Sequence, residues 1–142
     1  MLDMNTAREA FGNMLMQGES CTAIIYCVFK PMGFFAGTVG NTVNPGYAAV
    51  TNCGRLLTIQ TGSLGYFVGN NSAAAYNIAS AAKLKVHKNL FGQYVFDCVF
   101  SADGKNVKVH FQAAKKVLGS GHPEQESNLE TVVSIFSQYE TR

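Results

Sequence analysis

Between residues 82 and 112, apolar and polar positions alternate with the period of a β-strand in three consecutive runs. Lys83 to His87 sets Leu84 and Val86 on one face and Lys83, Lys85 and His87 on the other. Asp103-Gly104 is a dipeptide favoured in a two-residue hairpin turn, because both central positions need φ > 0. Folding there sets Phe100 opposite Val107, Cys98 opposite Val109 and Phe96 opposite Phe111. The other face then pairs Val99 with Lys108, Asp97 with His110 and Val95 with Gln112. A slip of one residue would set Phe100 against Lys108, so pattern and turn select the same register. A turn near Asn89 to Gly92 joins 82–88 to 93–100, with Val86 expected opposite Tyr94 and Leu84 opposite Phe96. The three runs predict a three-stranded meander.

Upstream the pattern is less regular. Thr6-Ala7-Arg8-Glu9 matches a capping box, and Ala7, Ala10, Phe11, Met14 and Leu15 follow on one helical face, with Gly18 as the stop. Thr22 to Phe29 is β-branched and aromatic without polar alternation, which predicts a strand covered on both faces. Residues 30 to 45 hold Pro31, Gly33, Gly37, Gly40 and Pro45, which break any long element, yet they carry Met32, Phe34 and Phe35. Tyr47–Val50 and Leu56–Gln60 predict a second hairpin around Asn52–Arg55, with Val50 opposite Leu57 and Ala48 opposite Ile59. Residues 61 to 72 read as a Gly-, Ser- and Asn-rich loop holding Tyr66, Phe67 and Val68, and Ala74 to Ala79 as a short strand. After Gly119, Gly121 and Pro123, a second capping box at Ser127–Glu130 opens a helix over 128–140. Its stripe of Leu129, Val132, Val133, Phe136 and Tyr139 must be buried, and the meander's apolar face is the nearest surface.

The 142 residues fit one domain, with an N-terminal helix in 1–19 and the strands plus closing helix in 20–140. At 47% hydrophobic and 14% charged, the chain either buries a large fraction of its surface or covers part of it with a partner. A formal charge of +2 gives no field that would select nucleic acid. Cysteines 21, 27, 53 and 98 have no metal-ligand or redox spacing and read as small apolar residues, not as disulfides. The N-terminus lacks a basic start followed by an apolar run, and no stretch approaches the ~18 apolar residues of a membrane span, so a soluble cytoplasmic protein is expected.

A short helix, about seven antiparallel strands in consecutive hairpins and one closing helix is the element order of a pleckstrin-homology-like barrel. Gly46-Tyr-Ala-Ala-Val-Thr-Asn-Cys-Gly-Arg-Leu-Leu-Thr-Ile resembles the second and third strands of bacterial pleckstrin-homology-like domains. Leu84-Lys-Val-His-Lys-Asn-Leu-Phe-Gly-Gln-Tyr-Val resembles their lysine-rich fifth strand and the Leu-Phe-Gly turn after it. The resemblance spans residues 20 to 140. It implies a mainly β barrel capped by the C-terminal helix, a non-catalytic scaffold, and assembly through strand edges in a bacterial cytoplasm. Eukaryotic relatives that bind phosphoinositides carry a basic motif in the loop joining their first two strands. Here Lys30 is the only basic residue of that loop, so the resemblance does not extend to headgroup binding.

Candidate chemistry is sparse. His87 and His110 fall on outward strand faces and His122 in a loop. Asp97 and His110, with Lys83 expected across from Asp97, form a surface charge ladder, not an acid–base pair. Lys115-Lys116 before Gly119-Ser120-Gly121 has the wrong order for a phosphate loop. No catalytic residue, metal site or cofactor is expected, and the chain reads as no enzyme. The expected function is a binding or scaffolding module working through protein contacts or as a homo-oligomer, with Met32, Phe34 and Phe35 as the interface. The alternative is peripheral association with anionic membrane through the basic face of Lys83, Lys85, Lys88 and Lys108. A third reading is a small-ligand binder or enzyme on an α+β roll, with the N-terminal helix in the concavity; a pocket uniting Cys53 and His122 would favour it.

Overall fold

The computed structural model describes residues 4–29, 44–60, 73–102, 104–117 and 122–141. Helix α1 (Met4–Gly12) precedes strands β1 (Cys21–Phe29), β2 (Asn44–Thr51), β3 (Arg55–Gln60) and β4 (Ala73–Asn77). A single 3-10 turn, Ile78–Ser80, leads into β5 (Ala81–Lys88), β6 (Tyr94–Ala102) and β7 (Lys105–Ala113), and helix α2 (Gln125–Gln138) closes the chain. The strands form one antiparallel sheet in the order β4-β3-β2-β1-β7-β6-β5. Among the described residues no ladder joins β4 to β5, so the sheet is not closed into a barrel. Its weak seam is between β1 and β7, which pair only at Val28–Gln112 and Phe29–Phe111.

Two clusters explain why the early strands lack alternation. On one face, Ile25, Cys27, Phe29, Val50, Leu56, Leu84, Phe96, Phe100 and Phe111 pack with Leu129, Val132 and Phe136 of α2. Phe96 and Phe111 stack with ring centroids 4.6 Å apart, and Phe136 meets Phe96 edge-on at 5.2 Å. On the opposite face, Ile24, Tyr47, Ala49, Leu57 and Ile59 are covered by Met4, Ala7 and Phe11 of α1. Strands β1–β3 are therefore apolar on both faces because each face joins its own buried cluster. Helix α1 lies on the face away from α2.

The β6–β7 hairpin has the expected register, with Phe100–Val107, Cys98–Val109, Phe96–Phe111 and Asp97–His110 paired. Gly104 takes φ +76° as its turn requires; Asp103 lies outside the described residues. Strands β5 and β6 keep their expected faces but slide by two residues, pairing Val86 with Phe96 and Leu84 with Cys98. Lys85, not Lys83, therefore faces Asp97, and Lys83 faces Val99. The β2–β3 hairpin differs by one residue, with Val50 opposite Leu56 and Ala48 opposite Thr58. With both faces apolar, polarity cannot penalise that slip, and the turn decides the register. The Thr51 hydroxyl accepts from Cys53 N at 3.3 Å and Arg55 N at 3.2 Å, while Gly54 sits at φ +77°.

Neither capping box forms. Helix α1 starts at Met4, ahead of Thr6, and ends at Gly12, where Met14 N closes onto Phe11 O at 2.9 Å. Helix α2 starts at Gln125 after Glu124, which makes no side-chain cap bond, and the Ser127 hydroxyl donates to Glu124 O at 3.1 Å. Tyr139 is 40% exposed beyond the buried stripe. Residues 13–20 are held by Glu19, whose buried carboxylate accepts from Arg55 Nε at 2.9 Å, Thr51 Oγ1 at 2.7 Å and Met16 N at 3.0 Å. Glu19, Thr51 and Arg55 thus lock the first linker to the β2–β3 turn.

Where β1 and β7 part, a side chain of α2 bridges them. Gln125 is 1% exposed; its Oε1 accepts from Tyr26 N at 2.9 Å, and its Nε2 donates to Tyr26 O at 2.8 Å and Ala114 O at 3.1 Å. One amide does for β1 what a neighbouring strand would do. Asn128 Nδ2 adds a bond to Ile24 O at 3.1 Å. At the sheet's outer edge, Thr141 covers β5: its N–H donates to Leu84 O at 3.0 Å, and its hydroxyl accepts from Leu84 N at 3.1 Å.

Candidate docking site

The turn joining β5 to β6 is built around Asn89. Its Oδ1 accepts from Phe91 N at 2.9 Å and Gln93 N at 3.0 Å, its own N–H donates to Gln93 O at 2.9 Å, and Gly92 N returns to Asn89 O at 3.1 Å. Gly92 supplies the φ of +80° that lets the chain turn back, and the closing pair is Lys88–Tyr94. Asparagine suits this position because its side chain mimics a backbone turn. These bonds also explain the two-residue slide of β5, since they hold open a wider loop than a tight hairpin needs. What the turn presents is unusual: Leu90 is 101% exposed and Phe91 88%.

Polar groups frame this tip. Lys88 Nζ sits 5.1 Å from the Tyr94 ring centroid, and Gln93 Oε1 accepts from Gln112 Nε2 at 2.8 Å, tying the base of the tip to β7. Lys88, Tyr94 and Ala113 lie in register at one end of the β5–β6–β7 sheet, so Lys115 and Lys116, both exposed, follow β7 out at the same end. This grouping is not apparent from linear order, where Lys88 and Lys115 stand far apart.

Of the residues expected to form a basic face, Lys83, Lys85 and Lys108 lie on one face of the sheet. Lys83 and Lys108 are exposed and flank Val99 in one row across the sheet. Lys85 is half-buried and donates to the Thr141 carbonyl, and the adjacent row holds the Asp97–His110 pair. Lys88 belongs with the tip. Met32, Phe34 and Phe35, the expected interface, lie outside the described residues, as does the 61–72 loop.

Among the described residues the other polar groups lie in separate clusters. Tyr47 Oη and His122 Nε2 share a hydrogen bond of 2.6 Å, and the His122 ring lies against Tyr26 at 5.1 Å. Cys53 sits in the β2–β3 turn, beyond Thr51, which is four strand residues or roughly 13 Å along from Tyr47. Cys53 and His122 are therefore apart. Burial pushes the Cys27 thiol well up, and burial with the Asp97 charge pushes Cys98 to about 12, so neither is a ready nucleophile. A cleft of about 320 Å³ opens where β1 and β7 part, lined among others by Tyr26, Val28, Gln93, Gln112 and Lys116. Its two glutamine amides are bonded to each other. Among the described residues no three His, Cys, Asp or Glu side chains gather as metal ligands, and no helix is long and apolar enough to cross a membrane.

No family model and no curated protein matches the chain. Among solved structures it is similar to the hSac2 domain from human phosphoinositide phosphatase Sac2, with a TM-score of 0.58 and 8% sequence identity. The match covers 95% of this chain and 79% of that chain. At that identity the likeness is one of fold alone.

Two adjacent large apolar residues between Asn89 and Gly92, inside a turn bounded by strands, are visible in the sequence. Reading Leu-Phe-Gly only as a family turn passes over them; two large apolar side chains placed together in a turn are the signal that singles them out.

Proposed function

We propose that the chain is a non-catalytic binding module of pleckstrin-homology-like architecture that docks through the β5–β6 tip. The single observation carrying this reading is the full exposure of Leu90 and Phe91 on a turn that its own hydrogen bonds hold in place. Scattered exposed leucines are ordinary, but two contiguous large apolar side chains on a projecting, rigid turn are a binding feature. The turn is organised before any partner arrives, so little ordering entropy opposes docking. The strand order, with β1–β4 and β5–β7 meeting at the β1–β7 seam beneath a C-terminal helix, supports the architecture. The phosphatase activity in the neighbour's name is not carried over, because at 8% identity the likeness is one of fold alone.

Light scattering after size exclusion, repeated with and without lipid vesicles, tests the reading on the natural chain and on Leu90→Ser/Phe91→Ser. Any concentration-dependent mass or vesicle-bound fraction is expected to vanish in the double variant while its far-UV circular dichroism is retained. Association that survives the double change, or none in the natural chain, refutes docking through the tip. Phe34→Ser/Phe35→Ser serves as the parallel variant for the 30–45 loop, the second apolar element proposed for such contacts.

A further inference from the structure

Resting on the reading of the tip as the docking element, we infer that its partner is an anionic lipid bilayer: Leu90 and Phe91 insert at the interface while Lys88, Lys115 and Lys116 face the headgroups. Three observations favour a bilayer over a protein surface. First, the apolar element is convex and narrow. Two side chains offer on the order of 300 Å², against the roughly 800 Å² that each partner buries in a stable protein interface. A fluid bilayer closes around such a projection without a matching pocket.

Second, the cations sit where insertion would need them. Register places Lys88 at the base of the tip, and Lys115 and Lys116 run out beyond Ala113, which pairs with Tyr94. Gln125 bonds Ala114 O, and the exposed Glu126 that follows it is the carboxylate next in sequence to that anchor. Of the other acids, Asp97 is held by His110 and Glu124 lies 3.7 Å from Arg8. Third, Tyr94 lies beneath Lys88 at the same level, an amphipathic ring suited to the headgroup layer. One short apolar tip gives marginal membrane affinity, and an adjacent basic cluster is the second signal that stable attachment requires.

Co-sedimentation with vesicles of phosphatidylcholine, alone or mixed with phosphatidylglycerol, tests this at low and physiological ionic strength. The natural chain is expected to pellet with the anionic vesicles only, and less as salt rises. Each of Lys88→Ala, Lys115→Ala and Lys116→Ala should lower partitioning about fivefold, and the three together about a hundredfold. Lys105→Ala, at the opposite end of the β6–β7 hairpin, should leave it unchanged. Leu90→Ser/Phe91→Ser, which alters no charge, should lower it by roughly tenfold or more. Equal pelleting with neutral vesicles, or insensitivity to the apolar double change, overturns the inference. If nothing pellets while the solution mass still depends on Leu90 and Phe91, the bilayer is wrong and docking through the tip survives. If neither responds, both fall.

Discussion

Replacing Gln125 should destabilise the domain far more than its polar character suggests. The side chain is 1% exposed and makes three bonds of 2.8 to 3.1 Å to Tyr26 N, Tyr26 O and Ala114 O. Gln125→Ala leaves one N–H and two carbonyls of the β1–β7 seam without partners. Each such group costs about 1–3 kcal/mol when fully buried. The neighbouring cleft admits water to part of the seam, so the expected loss is about 2–4 kcal/mol. Gln125→Glu sharpens the argument, because it keeps the shape and inverts one polar contact. One carboxylate oxygen still accepts from Tyr26 N, but the other faces two carbonyls, so the folded state favours the protonated acid. The folded pKa then lies above the ordinary value of about 4.3. The variant keeps its stability below that value and loses it as pH rises through the raised pKa. Urea unfolding followed by far-UV circular dichroism from acid to neutral pH measures both effects. A Gln125→Ala loss below about 0.5 kcal/mol, or a Gln125→Glu variant no more pH-dependent than the natural chain, would refute the role given to this amide.

Phe136→Ala removes the ring that stands edge-on to Phe96 and should cost about 3–5 kcal/mol in the same unfolding assay. Gly46→Ala would drive a Cβ into Ile59 O and to 2.9 Å from the Phe29 ring, so β2 must move, and a loss of about 2–3 kcal/mol is expected. A variant as stable as the natural chain would contradict the packing of β2 on β3. Glu19 is held down from 4.5 to about 2, chiefly by its hydrogen bond from Arg55 and then by the bond from Met16 N. Its stabilisation is present above the unfolded value and is lost as pH falls from 4.5 through 2, so Glu19→Gln should flatten the acid limb of the urea midpoint. An unchanged limb would show that the pair does not hold the first linker.

What the sequence discloses depends on whether a segment has one wet face. The β6–β7 hairpin is legible to the residue, because Lys108 and His110 oppose an apolar face that a slip would expose. The β2–β3 hairpin is visible as a hairpin, but its register is not, because both its faces join buried apolar clusters and any slip looks equally apolar. The start of α2 departs from its capping box for a related reason. Gln125 is drawn into the fold by β1's unpaired backbone, a demand that local sequence does not carry. Likewise, the cationic end of the β5–β7 sheet arises from register, which brings Lys88 alongside a strand end whose lysines lie more than twenty positions later. Leu90 and Phe91 needed no structure to be noticed, only the question of why a turn would hold them.

The chain contains no tryptophan, so Phe91→Trp places a single reporter at the tip. Its emission should be that of a fully solvated indole in dilute protein, then shift to the blue and be quenched by brominated lipid when anionic vesicles are added. Emission that stays solvated while the protein binds vesicles would contradict docking through the β5–β6 tip.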